Sequence, residues 1–121
     1  MPQFKILARY LLGVLFVAAG INHFVNTAMY VGIMPPYLPW HLELVYISGV
    51  AEITLGFLLL IQRYALWAGW GIIALCVAVF PANLHMAMHA ELYPSLPALA
   101  LWLRLPAQGI LIAWAWWVTH E

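Results

Sequence analysis

The chain has 121 residues, of which 67% are hydrophobic and only 7% are charged. A water-soluble domain of this length needs far more charge on its surface, so the composition indicates a single integral membrane domain. The formal net charge is zero and no basic run is present, which removes the electrostatic basis for nucleic-acid binding. Cys76 is the only cysteine, so an intramolecular disulfide is excluded, and we interpret this residue as a small apolar helix residue.

The first apolar run covers residues 4–24 and begins with Lys5 and Arg9. It is long enough to span a bilayer, so we expect a retained helix and not a cleaved signal peptide. One stripe at helical spacing is the expected packing face of this helix, and it carries Gly13, Phe16, Gly20 and His23.

The segment 26–40 is predicted to be a loop, because Pro35, Pro36 and Pro39 prevent a continuing helix. Its remaining residues are too apolar for a free linker. We therefore expect it to lie folded at the membrane interface, with its Tyr and Trp side chains at the level of the headgroups.

The second span, 41–61, contains a carboxylate near its middle, Glu52. A charged side chain at the bilayer centre costs about 2.5–3.5 kcal/mol on insertion scales, so it requires a partner, a proton or a polar cavity. Gly49 and Gly56 lie on the same helical face as Glu52, and small residues permit close approach of a neighbouring helix. Glu52 is therefore predicted to face the interior of a bundle.

The two remaining spans are predicted at 65–89 and 99–118, joined by a proline-containing loop at 90–98. Pro81 lies inside the third span and is expected to bend it near its end. Together the four spans predict an all-α fold, a four-helix transmembrane bundle, with 1–121 as one membrane domain.

Four spans place both termini on one side of the membrane. That side carries Lys5, Arg9 and Arg63, whereas the opposite side carries Arg104. The positive-inside rule then predicts a multi-pass protein of the cytoplasmic (inner) membrane with cytoplasmic termini.

Polar residues concentrate in the half of the bundle nearer the two long loops. Because burying such groups separately costs several kcal/mol each, we expect them to share one pocket. The candidate pocket residues are Asn22, His23, Glu52, Asn83, Arg104 and Gln108.

Depth limits which of these residues meet. Glu52 lies roughly 15 Å inside its helix, whereas His23 lies close to the interface. Asn83 and Gln108 are therefore the easier partners for Glu52, and His23 reaches it only if the helices are staggered or the first loop folds inward. Arg104 has a side chain long enough to extend inward to Glu52 or outward to water. An alternative role for Glu52 is a hydrogen-bonded tether between helices.

A metal site remains an alternative at the end of the third span. His85 and His89 are spaced i, i+4, which places two imidazoles on one side, and the thioethers of Met86 and Met88 suit copper(I). Haem ligation by His23 with His85 or His89 is a further alternative. The sequence specifies neither a third metal ligand nor a histidine pair, and it shows no nucleophile–base arrangement.

Several segments together resemble the DoxX-like family of small four-helix membrane proteins: AAGINHF at 18–24, IMPPYLP at 33–39, SGVAEITLG at 48–56, VAVFPANLHMA at 77–87 and RLPAQGILIAWAWW at 104–117. The resemblance implies a redox-associated membrane role involving quinone or sulfur species. Family members resemble one another at the positions matching Asn22, His23, Pro36, Glu52, Pro81 and Asn83. The family supplies no catalytic residue to carry over.

The leading functional prediction is a redox-associated or quinone-interacting accessory subunit that works with a partner protein carrying the cofactor. In it Glu52 receives or relays a proton, Asn83 and Gln108 orient Glu52, and His23 links the site to the outer water. The alternatives are a small-molecule binder or transporter, which requires a homo-oligomer, and a purely structural membrane subunit. Whether the protein is an enzyme is left open.

Overall fold

A computed structural model describes residues 3–32, 34, 36, 39–89, 91, 93 and 97–120. The helices are α1 (Gln3–Val25), α2 (Thr27–Gly32), α3 (His41–Leu59), α4 (Ala65–Met88) and α5 (Ala98–Thr119), with a 3₁₀ turn at Gln62–Tyr64 between α3 and α4. The described residues contain no strand, so the predicted all-α class is confirmed. Four of the helices are long and apolar enough to cross a membrane, which makes the chain a multi-pass membrane helical bundle.

The four long helices begin and end within two residues of the predicted spans. The short helix α2 differs from the prediction, because it lies inside the segment 26–40 that we expected to be a loop. The first helix-breaking proline of that segment is residue 35, so nothing prevents one helical turn before it. Several residues of both predicted proline-rich loops (33, 35, 37–38, 90, 92 and 94–96) lie outside the described part of the chain.

Helices α1 and α3 pack closely because glycines face each other along their contact. A Cβ atom built on Gly56 would lie 2.6 Å from the carbonyl oxygen of Gly13. One built on Gly20 would lie 2.6 Å from the carbonyl oxygen of Gly49. Real Cβ atoms do not approach backbone oxygens so closely, so all four positions exclude any larger residue without a backbone shift. The predicted packing face of α1 is thereby confirmed.

Helices α4 and α5 form the second closely packed pair. Of two apolar clusters, the larger joins the two pairs and the smaller lies within the α4–α5 pair. The larger cluster lies at the end of the bundle that holds the termini: Leu12, Phe16, Leu59, Ala65, Ala68, Ile72, Cys76, Ala115 and Val118. The smaller cluster lies at the loop end: Met86, Ala87, Tyr93 and Leu101. Polar side chains from all four long helices gather in the space between the two clusters.

The basic residues at the start of α1 are buried. Arg9 is 3% exposed, and the Lys5 ammonium group donates to the backbone carbonyl of His120, which follows the last residue of α5. A cation at this position compensates the carbonyl groups that a helix leaves without intrahelical partners at its C-terminus. Lys5 therefore ties the start of the chain to its end, in addition to adding charge to that side of the membrane.

Candidate ligand-binding site

A cavity of about 370 Å³ lies between the two apolar clusters, in the half of the bundle nearer the loops. Phe16 and Cys76 of the larger cluster and Met86 of the smaller one contribute to its wall. Five of the six predicted pocket residues line this cavity: His23, Glu52, Asn83, Arg104 and Gln108. The sixth, Asn22, is not part of the lining but bonds to a residue that is.

The glycine contact between α1 and α3 brings His23 to Glu52. His23 follows Gly20 by three residues and Glu52 follows Gly49 by three. Because α1 and α3 are antiparallel, the two residues lie about one turn to either side of this contact and their side chains meet across it. His23 Nδ1 is 3.0 Å from Glu52 Oε2, and the two side chains are 12% and 17% exposed. The helices are thus staggered enough for the interfacial histidine to reach the deeper carboxylate.

His23 Nδ1 has a second neighbour, which determines where its N–H bond points. Nδ1 is 2.9 Å from the backbone carbonyl oxygen of Ala19, which only accepts hydrogen bonds, so Nδ1 carries a proton and donates it there. That proton is the only one on Nδ1. Glu52 Oε2 is buried. Because the Nδ1 proton points to Ala19, Oε2 receives no aligned hydrogen bond among the described residues, although His23 Nδ1 is only 3.0 Å away.

Helix α2 supplies a wall of the site through Tyr30. The Tyr30 ring stacks on the His23 imidazole with centroids 4.0 Å apart and an interplanar angle of 15°. Its hydroxyl oxygen accepts a 2.7 Å hydrogen bond from Asn22 Nδ2, and the Asn22 side-chain oxygen accepts from Asn26. These contacts hold the Tyr30 ring against the imidazole that faces Glu52.

Asn83 and Gln108 bond to each other across the opposite wall. Asn83 Nδ2 donates to Gln108 Oε1 at 2.6 Å, and Gln108 Nε2 donates to the backbone carbonyl oxygen of Cys76 at 2.9 Å. Gln108 is 6% exposed, so this link between α4 and α5 is shielded from the surroundings. We expected both amides to orient Glu52, whereas the hydrogen bonds of the described residues join them to one another and to the α4 backbone.

Arg104 contributes a cation to the same cavity from the first turns of α5. Within the described part of the chain, no carboxylate lies within 4.0 Å of its guanidinium group. The sequence left open whether Arg104 extends inward to Glu52 or outward; it lines the cavity without forming an ion pair with Glu52. The site therefore combines one carboxylate and one guanidinium group in a mostly apolar wall.

The lining residues that sequence reasoning missed include Tyr30, Met34, Ser48 and Cys76. Tyr30 and Met34 lie in the segment that we predicted to be an interfacial loop. Cys76 was interpreted as a small packing residue, and it is indeed buried in the larger cluster as well as lining the cavity. For Tyr30 and Met34 the one available signal was the high apolar and aromatic content of segment 26–40. That content predicts that the segment is buried, but not which helices it packs against.

The candidate metal residues lie near the end of α4. The His85 and His89 rings stack with centroids 4.4 Å apart, and His89 Nδ1 donates to the backbone carbonyl of His85 at 3.1 Å. In the described residues, no group of three His, Cys, Asp or Glu side chains is close enough together to hold a metal ion. His23, the other candidate for haem ligation, contacts Glu52 and Tyr30.

Residues 12–119 match the model of a protein family described as "Domain of unknown function (DUF8561)". The chain belongs to this family. No curated protein matches it, and no solved structure does. The family match covers every residue that lines the cavity, so the cavity lies within the region that defines the family.

Proposed function

We propose that this protein binds a small, largely apolar molecule of the quinone type in the cavity between its helix pairs and serves as a redox-associated accessory subunit. The observation that carries the proposal is the convergence of His23, Glu52, Asn83, Arg104 and Gln108 on one cavity with otherwise mainly apolar walls. Its volume of about 370 Å³ falls in the range of small-molecule sites, which are apolar cavities with a few convergent polar groups.

The polar residues suit proton handling next to such a ligand. Oxidation of a hydroquinone to a quinone releases two electrons and two protons. In this proposal the two electrons pass to a cofactor held by a partner protein. The Glu52 carboxylate accepts the two protons one after the other and releases each toward the loop end, where His23 links the site to the outer water. A carboxylate retained inside a membrane bundle is a usual element of proton relays, which supports this role for Glu52.

The resemblance of the sequence to DoxX-like proteins supports the same proposal, because it implies a membrane role involving quinone or sulfur species. We further propose that the protein resides in the cytoplasmic membrane with cytoplasmic termini. Arg63, exposed in the turn between α3 and α4, supports this orientation through the positive-inside rule. The cavity then lies in the outer half of the membrane.

A second candidate function is ligand binding without redox chemistry. The cavity supports binding without redox chemistry as well as it supports the redox role. Transport of a ligand by a single copy of the chain has less support. The larger apolar cluster lies between the cavity and the end that holds the termini, so an apolar barrier separates the cavity from that end.

The test is binding of a short-chain benzoquinone and its hydroquinone to purified protein, measured calorimetrically in lipid nanodiscs. Ala82 lines the cavity, so Ala82→Trp fills it and is expected to reduce affinity for the ligand at least tenfold, about 1.4 kcal/mol. Ala78, one turn earlier on α4, is exposed and outside the lining, so Ala78→Trp is the matched control and should bind as the native chain does. Failure of both redox forms to bind the native chain would contradict the proposal.

A further inference from the structure

The backbone carbonyl of Cys76 determines the orientation of two amide side chains. A carbonyl oxygen only accepts, so the Gln108 atom 2.9 Å from it must be the amide nitrogen, and Gln108 Oε1 must face Asn83. Oε1 in turn accepts from the Asn83 amide nitrogen at 2.6 Å. Asn83 Oδ1 therefore stays available to a ligand as an acceptor, and the second hydrogen of Asn83 Nδ2 stays available as a donor.

The wall formed by α1 and α3 also presents an acceptor. The Nδ1 proton of His23 is directed to the Ala19 carbonyl, which leaves Glu52 Oε2 buried without an aligned donor among the described residues. A buried acceptor without a donor costs about 1–3 kcal/mol, more when it is charged. A ligand hydroxyl that donates to this oxygen would remove that cost, whereas a ligand carbonyl would be repelled by it.

Arg104 argues against a cationic ligand. Arg104 lines the same cavity as Glu52 and its guanidinium group is always charged, so the lining residues carry no net charge when Glu52 is ionised. A neutral molecule enters such a site without leaving an uncompensated buried charge. The walls between these groups are apolar, formed by Phe16, Leu75, Val79 and Leu111 among others, which suits a ring with alkyl substituents.

We propose that the cavity selects a neutral, apolar ring compound that carries hydroxyl donors over the same compound carrying carbonyl acceptors. This inference rests on the proposed function and specifies its ligand: the site binds the reduced, hydroquinone form more tightly than the quinone. The selectivity comes from Glu52 Oε2, a buried acceptor that only the hydroxyl form can satisfy. The donors of Arg104 and Asn83 do not discriminate, because the oxygens of both forms accept hydrogen bonds.

The experiment compares tetramethyl-1,4-hydroquinone with tetramethyl-1,4-benzoquinone. Every ring carbon of this quinone is substituted, which prevents the Cys76 thiol from forming a stable adduct with it. Binding is measured anaerobically by equilibrium dialysis against nanodiscs holding the native chain. Nanodiscs holding the Ala82→Trp protein correct for partition into lipid. We expect the hydroquinone to bind at least roughly tenfold more tightly, the ratio that one hydrogen bond to a buried acceptor provides.

Glu52→Gln tests the origin of the selectivity, because the amide introduces a donor where the carboxylate only accepts. We expect the ratio of hydroquinone to quinone affinity to fall by about tenfold, since the quinone gains the partner that the hydroquinone loses. Glu43→Gln makes the same chemical change at an exposed position in the first turn of α3 and should leave the ratio unchanged.

A second ligand pair tests the inference on the native chain alone, without redox chemistry. We expect 4-ethylphenol, which has a donor, to bind more tightly than 4-ethylanisole, in which a methyl group replaces the hydroxyl proton. The inference would be overturned if the quinone bound at least as tightly as the hydroquinone and the anisole at least as tightly as the phenol. The proposed function would still stand. Absence of specific binding by any of the four compounds would overturn both.

Discussion

Gln108 shows how a polar side chain is accommodated inside an apolar helix bundle. Its amide oxygen accepts from Asn83 and its amide nitrogen donates to the carbonyl of Cys76, so both ends of a 6% exposed group have partners on α4. Glu52 is in the opposite situation, because its Oε2 atom is buried without an aligned donor among the described residues. Gln108 thus has the environment of a structural residue, whereas Glu52 carries an unsatisfied buried acceptor.

Replacing Gln108 with leucine should therefore destabilise the bundle. Gln108→Leu removes two interhelical hydrogen bonds and leaves the Asn83 amide without its acceptor, so we expect the free energy of unfolding to fall by about 1–3 kcal/mol. The measurement is reversible unfolding by sodium dodecyl sulfate in mixed micelles, followed by circular dichroism. Gln62→Leu, at an exposed position in the 3₁₀ turn, is the control and should change stability by less than about 0.5 kcal/mol. Equal stability of the two variants would show that the Gln108 amide does not hold α4 and α5 together.

At the scale of helices, the contact between α1 and α3 does more than join two spans. The contact between Gly20 and Gly49 sets the distance between the two backbones next to His23 and Glu52. A Cβ on Gly49 would lie 2.9 Å from the Cβ atom of His23, so even alanine there would displace the histidine. The close packing of small residues and the geometry of the polar site are thus one feature of the fold.

The Gly13–Gly56 contact offers a test of this packing away from the cavity. Gly56→Ala places a Cβ 2.6 Å from the Gly13 carbonyl oxygen, and we expect the resulting overpacking to lower the free energy of unfolding by about 1–3 kcal/mol in the same micelle assay. Gly109 lies on the exposed face of α5 and a Cβ there meets nothing within 4 Å. Gly109→Ala should consequently leave stability unchanged or slightly raised, since alanine favours the helix. A Gly56→Ala protein as stable as the Gly109→Ala protein would refute the close contact.

At the scale of the whole molecule, two closely packed helix pairs meet most extensively at the end that holds the termini. Lys5 joins the start of α1 to the end of α5 there, and the larger apolar cluster fills the interior behind it. Toward the loops the pairs enclose the cavity, which α2 covers through Tyr30. The polar site is therefore confined to one half of the membrane thickness.

This arrangement predicts the accessibility of single cysteines introduced on a Cys76→Ala background. Gln3→Cys and Gln62→Cys lie at the end that holds the termini, and Gly32→Cys lies at the loop end, where a side chain meets nothing within 4 Å. In intact cells, a membrane-impermeant maleimide should label Gly32→Cys, and it should label the other two only after the membrane is opened. Labelling of Gln3→Cys in intact cells would reverse the proposed orientation, and labelling of Gln3→Cys and Gly32→Cys from the same side would contradict the spanning of α1.

The sequence by itself determined the class of fold, the four spans and the membrane-embedded polar residues, because hydropathy and helical spacing are local properties of the chain. It also indicated the glycine face of α1 and, through the cost of separate burial, that His23, Glu52, Asn83, Arg104 and Gln108 share a site. Only the tertiary structure decided which of them meet. The stagger and rotation of neighbouring helices select His23 for Glu52 and Gln108 for Asn83, and the fold of segment 26–40 places Tyr30 on His23. These choices depend on packing between segments distant in the chain, and no local pattern specifies them.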